Sequence, residues 1–431
     1  MPQLRIDPAL ASDFAALTAD AGVREALAHV ERDAEATLAE QKTLATIPAP
    51  TFAESERAAY LAARFAELGF ADLRLDAAGN VIACCPGPGE GPTRASAAQL
   101  DTVYPAGTEL SVRSLANGRL EGAGIADDAR GLAEILGIAR ALQATKLATV
   151  GDLWFVGTVG EEGLGDLRGV RALFAEHRDA IDGFISIDGA LEARIAFVAV
   201  ASRRYRVCFS GPGGHSFTDF GRPSAIHALG RAVAALAELR PPERQDGADT
   251  AKTTFTVGTV SGGTSVNSIA AEASFELDLR STDMDVLRTL EAQALSAIDA
   301  AVVAENARWG GTRPTRPIER HLEAIGDRPG GAQPVDAPII QVASLALRHV
   351  GVEPILGIPA STDANVAISL GIPALTLGPG GASGENHTVR EWYDPTQAHR
   401  GVQKNLLAVL ALVGVVGVMP PVLRRRAVAA H

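Results

Sequence analysis

Cysteine is scarce in this chain. Only Cys84, Cys85 and Cys208 occur among 431 residues, and neighbouring cysteines rarely close on each other because of disulfide geometry. A disulfide scaffold is thereby excluded, and reduced thiols in a cytoplasmic compartment are the expectation. Positive charge is also in deficit. The formal net charge of −12 repels nucleic acid and anionic membrane surfaces at long range, leaving a small substrate or a metal cation as the fitting partner. Long apolar runs are missing too. Asn405 to Val418 spans about 14 residues, short of the roughly 20 that cross a bilayer, and reads as a buried terminal helix. The stretch from Met1 to Asp7 carries no export signal, and no internal repeat or low-complexity segment stands out.

What is present is a globular composition, 47% hydrophobic and 21% charged, in a chain too long for one ordinary core. Helical spacing runs over residues 24–44 and 54–68. A strand at about 72–84 is turned by Asp76-Ala-Ala-Gly-Asn80. The small-residue strand from Ser96 carries Gln99 and Asp101, which are two residues apart and therefore face one side. After a hairpin at Asn117-Gly118, the segment Gly122–Gly131 opens a helix with the stripe Leu132, Ile135, Leu136, Ala139 and Leu142. Asp127 and Asp128 fall at its N-terminus, where capping accounts for one carboxylate but does not require both.

The apolar run Leu153–Val156 leads into a Gly-rich acidic segment bearing Glu161 and Glu162. Adjacent like charges in a partly buried place persist where a cation or a shared proton holds them; a solvated acidic turn is the bland alternative. The strand Phe184–Ile187 ends in Asp188, and Ala374–Leu377 leads to the loop with His387. Alternating strands and helices imply an α/β domain with a largely parallel sheet, whose working residues gather beyond the carboxyl ends of the strands. From about Arg203 the pattern becomes βαββαβ, the element order of a ferredoxin-like unit. The expected division is 1–202 and 329–431 for one split domain, with 203–328 inserted.

Asp127, Glu162, Asp188 and His387 offer a hard, mixed oxygen and nitrogen set suited to zinc, cobalt or manganese. Two ions sharing a bridging carboxylate would use all four. Glu161, beside a ligand but free to point elsewhere, is positioned to take a proton from a water. No Gly-x-Ser-x-Gly elbow is present for serine catalysis.

Six segments in order strengthen this reading: Leu100–Val103, Gly124–Asp128, Thr158–Gly163, Ile187–Gly189, Gly211–His215 and Asn386–Trp392. Together they resemble the motifs of the M20 family of metallopeptidases and amidohydrolases, over about residues 45–395. The resemblance implies a catalytic domain interrupted by a lid and dimerisation domain, and a homodimer acting on short peptides or N-acyl amino acids. Divalent metal would be the cofactor, one or two ions per chain, zinc first with manganese or cobalt as alternatives. By motif, Asp127 would bridge two metals, Glu162 and His387 would complete one site, Asp188 the other, and Glu161 would be the general base. His215 would polarise the scissile carbonyl in the partner subunit's active site, although capping a helix is its plainer reading. Asn267 and Arg280 would hold a substrate carboxylate, although Arg280 shares a polar strand face with Glu276 and Asp278.

One position departs from the pattern. Where the family has a metal-binding histidine, this chain has Gln99, a poorer ligand for zinc, so the Asp188 site should be weakened. The expectation is that the Gln99 oxygen faces the metal while its amide group donates to Asp101 in the shell behind the ligands. The rival reading is a noncatalytic or weakly active protein that binds a peptide or amino-acid derivative.

Overall fold

Leu153–Val156, Phe184–Ile187 and Ala374–Leu377 carry apolar side chains on both faces, and each lies in a strand covered on both sides. The computed structural model describes residues 4–89, 91–189, 191–242, 251–309 and 315–426, so Met1–Gln3 of the N-terminal stretch lie outside it. The chain divides into two units, Met1–Ala199 with Ala332–His431, and Val200–Gly331.

The first unit is built on an eight-stranded sheet. In spatial order its strands are Asp72–Leu75, Val81–Cys85, Asp152–Thr158, Thr93–Gln99, Gly183–Ile187, Ala374–Leu377, Arg194–Ala196 and Ile355–Leu356. The middle four are mutually parallel. Their carboxyl ends therefore lie along one edge, and the segments leaving that edge carry Asp101, Glu161 with Glu162, Asp188, and His387. The helix Ala129–Thr145 buries its expected stripe and also Ala133, Glu134 and Ile138. It is enclosed because strand Thr93–Gln99 and the helices Ala21–Arg32, Ala34–Thr46 and His399–Val413 all pack on it.

Three boundaries differ from the sequence expectation, each for a local reason. The helical stretch 24–44 is two helices, because Asp33 leaves helical geometry with φ −85° and ψ 2°. An unexpected helix, Pro8–Ala19, starts where the Asp7 carboxylate accepts the Ala9 amide at 2.8 Å. The terminal helix stops at Val413, since Gly414 takes φ +78°. The 72–84 strand forms a hairpin, with Asp76 Oδ1 accepting the amides of Ala78, Gly79 and Asn80 at 2.9 Å each.

The second unit is an antiparallel sheet in the order Thr253–Gly262, Glu272–Ser281, Ala201–Ser210, Glu319–Arg328, with helices Ala225–Ala237 and Met284–Trp309. This is the ferredoxin-like arrangement. Val207, Phe209, Phe275, Leu277, Leu229 and Leu290 belong to its buried core. Among the described residues, no helix of either unit is long and apolar enough to cross a membrane.

Candidate metal centre and active site

The neighbouring aspartates divide their work. Asp128 is fully buried and caps helix Ala129–Thr145, its Oδ1 accepting the Gly131 amide at 3.0 Å while Oδ2 accepts the Gln99 amide at 3.1 Å. A Cβ at residue 131 would overlap the Asp128 carboxylate, so this cap requires glycine. Burial, then the charges of Asp188 and Asp127, push the Asp128 carboxyl well above the usual range. Asp127 is left to face the sheet edge.

Around Asp127 the candidates converge. His387 Nε2 stands 3.1 Å from Asp127 Oδ2 and 3.7 Å from Glu162 Oε1. One ligand atom from each of these three residues lies within 4.8 Å of the other two, and Asp188 does not join that group. Ligand atoms held roughly 2.0–2.2 Å from a tetrahedral ion stand about 3.3–3.6 Å apart, so the three donors fit a divalent cation in spacing and in chemistry. Burial comes first, and then the charges of Glu161, Asp127, Asp101 and Asp188, in lifting the Glu162 carboxyl to about 10. Like charges so placed favour a cation among them. Asp127 is 11% exposed and His387 56%, so the group opens to solvent on the histidine side. A hydrogen bond to Asp127 raises the His387 pKa.

Glu161 and Glu162 are fixed through their backbone. Buried Asp101 accepts the Glu161 amide at 2.9 Å, the Glu162 amide at 3.0 Å and the Thr51 hydroxyl at 2.9 Å. Beneath it, Arg57 donates to the carbonyls of Leu100 and Ile47. The bond expected from the Gln99 amide to Asp101 is not formed, because the Gln99 side chain is turned toward other carboxylates. Gln99 Nε2 instead reaches Asp127 Oδ1 at 3.1 Å and Glu161 Oε2 at 3.5 Å. Asp188 follows its strand directly, its amide bonded to the Leu377 carbonyl and its carbonyl to Arg194.

Sequence reasoning assigned no role to Glu391, although it lies in the His387 motif. Its Oε1 accepts the amides of Ala126 and Asp127 at 2.7 and 2.8 Å, and its Oε2 stands 2.9 Å from the Tyr104 hydroxyl. A buried carboxylate four residues after a candidate ligand was the available signal. Burial and Asp127 raise this carboxyl to about 7.

His215, Asn267 and Arg280 belong to the other unit. His215 Nδ1 accepts the amides of Phe217 and Thr218 at 3.2 and 3.3 Å, which leaves Nε2 as the nitrogen that can donate. It closes a turn, and the next helix starts only at Ala225. Residues 214–215 pair with Ser268–Ile269, and the Ser216 amide bonds the Asn267 carbonyl, so His215 and Asn267 are brought together. Arg280 donates to Asp278 at 2.6 Å within an ion-paired strand face.

Known proteins share this fold. The sequence profile of peptidase family M20/M25/M40 matches residues 95–410. A tripeptidase from Staphylococcus aureus superposes with TM-score 0.71 at 23% identity, over 87% of this chain and 97% of that one. Aminopeptidase PepT from Bacillus cereus gives 0.68 at 22%, over 87% and 98%. The YXEP protein of Bacillus subtilis, described as a dinuclear metal binding peptidase of the M20 family, gives 0.63 at 16%, over 89% and 99%. No curated protein sequence matches the chain. With the family profile covering most of its length, the chain belongs to peptidase family M20/M25/M40 and is a metal-dependent hydrolase.

Proposed function

We propose that the protein hydrolyses the amide bond of short peptides or N-acyl amino acids, with Glu161 as the general base. The observation that carries this is Glu161 itself: a buried carboxylate, pinned through its amide by Asp101, beside the three converging donors of Asp127, Glu162 and His387. A divalent ion held by those three, zinc first and manganese or cobalt as alternatives, supplies Lewis acidity and makes water more acidic. Glu161 takes the proton from the attacking water as its oxygen bonds the carbonyl carbon. The same carboxyl then delivers that proton to the nitrogen as the carbon–nitrogen bond breaks. His215, with its proton on Nε2, is suited to donate to the developing oxyanion in the active site of a second copy, and unit Val200–Gly331 is the proposed dimerising element. Asn267 and Arg280 remain candidates for a substrate carboxylate; Arg280 would have to leave Asp278 to serve.

Exposed apolar side chains accompany the site loops. Phe52 follows Thr51, Val103 comes two residues after Asp101, Leu164 two after Glu162, and Val389 two after His387.

The experiment is Glu161→Ala, assayed on dipeptides, tripeptides and N-acyl amino acids with amine release as readout. Turnover should fall about 10²- to 10⁴-fold while substrate binding persists. Unchanged turnover would remove Glu161 from the chemistry, and absence of turnover in the parent protein, with binding intact, would favour the binding-protein reading.

A further inference from the structure

Resting on the hydrolase reading, we infer that this chain works with a single catalytic ion, and that the side-chain amide of Gln99 stands where a second ion would otherwise meet Asp127 and Glu161. The two oxygens of Asp127 are divided between different partners. Oδ2 faces His387 Nε2, within the three-donor group, whereas Oδ1 accepts from Gln99 Nε2 at 3.1 Å. The same nitrogen is 3.5 Å from Glu161 Oε2. An amide NH2 turned toward two carboxylates supplies the partial positive charge that a cation would supply, and its hydrogens repel a cation at the same oxygens.

Gln99 has little freedom to move aside. It is 2% exposed and ends the central strand Thr93–Gln99, paired with Thr158. Its own amide is bonded to Asp128, the capping residue of the following helix. Rotating the side chain to offer its oxygen would remove one donor from each carboxylate and present a neutral ligand weaker than imidazole. Asp188 then stays outside the ligand group. Gln99 is on this account a positioning residue, holding the bridging-type oxygen of Asp127 and the base carboxylate in place of an ion.

Metal content decides the matter. Chelator-treated full-length protein would be dialysed against zinc or cobalt and the bound ion counted per chain by elemental analysis, with cobalt electron paramagnetic resonance as a second count of uncoupled ions. One ion, with a fully integrating cobalt signal, is expected for the parent protein, and Asp188→Asn should leave that count unchanged. Gln99→His should raise it to two, and Asp188→Asn in that background should return it to one. Gln99→Ala should keep one ion, with kcat lowered about tenfold or more and KM little changed. Two ions in the parent protein, one of them lost with Asp188→Asn, would overturn the inference without touching the hydrolase reading. No ion under any condition would overturn both. Should Gln99→His fail to fold, the parent count and Asp188→Asn still decide.

Discussion

Carboxylates are gathered in two places in this molecule, and their neighbours differ. On the polar face of the sheet in unit Val200–Gly331, three acids meet arginines: Asp278 with Arg204 at 2.9 Å, and Glu276 and Glu323 with Arg206 at 2.9 and 3.1 Å. At the carboxyl edge of the central sheet in the other unit, Asp127, Glu161, Glu162 and Asp188 act on one another, and the Glu162 carboxyl is raised to about 10. The first set is a strand face satisfied by its own side chains, so it makes a scaffold. The second crowds its acids together around one imidazole, with three donors at the spacing a divalent cation takes. A charge row that closes on itself carries structure, and one that repels itself marks the place where a cation and chemistry belong.

That contrast can be broken most forcefully at His387, the one nitrogen donor among the three. His387→Ala should lower metal affinity by several orders of magnitude and remove activity, read by equilibrium dialysis and by amine release. The fold should survive, because His387 is 56% exposed. A smaller effect is expected at Glu391, which touches Asp127 only through the backbone. Glu391→Ala leaves the buried amides of Ala126 and Asp127 without an acceptor, costing about 1–3 kcal/mol in denaturant unfolding. It should also weaken metal binding about 10- to 100-fold, as losing the support behind a ligand does. The smallest effect belongs to the paired face. Arg206→Ala removes two surface ion pairs and should leave the denaturant midpoint almost where it was, with metal binding and turnover unchanged.

Much of the architecture was legible because its signals are local. The apolar runs before Glu161, Asp188 and Gly378 each became a parallel strand, and the βαββαβ order after Arg203 became the ferredoxin-like sheet. The break at Asp33 was not legible, since one residue out of helical geometry leaves the apolar spacing on either side undisturbed. Within Asp127-Asp128 the motif singled out Asp127, but the residue types alone did not. Adjacent aspartates have the same chemistry, and only the reach of Asp128 to the amides of Gly131 and Gln99 separates the cap from the residue at the site. Gln99 carried the right position but not its orientation, which is set across space by Asp127 and Glu161. Glu391 was hidden for the same reason: its partners, Ala126, Asp127 and Tyr104, are more than two hundred residues away in the chain.

Whether the self-repelling carboxylate edge is a metal-dependent amide hydrolase site is decided by amine release from a panel of apolar dipeptides and N-acyl amino acids. Release would be measured on chelator-treated protein before and after zinc, cobalt or manganese is restored. The metal-free protein should release no amine, and adding at least one of the three ions should restore it. Equal release with and without metal, or no release with any ion while the same compounds still bind, would contradict the hydrolase reading.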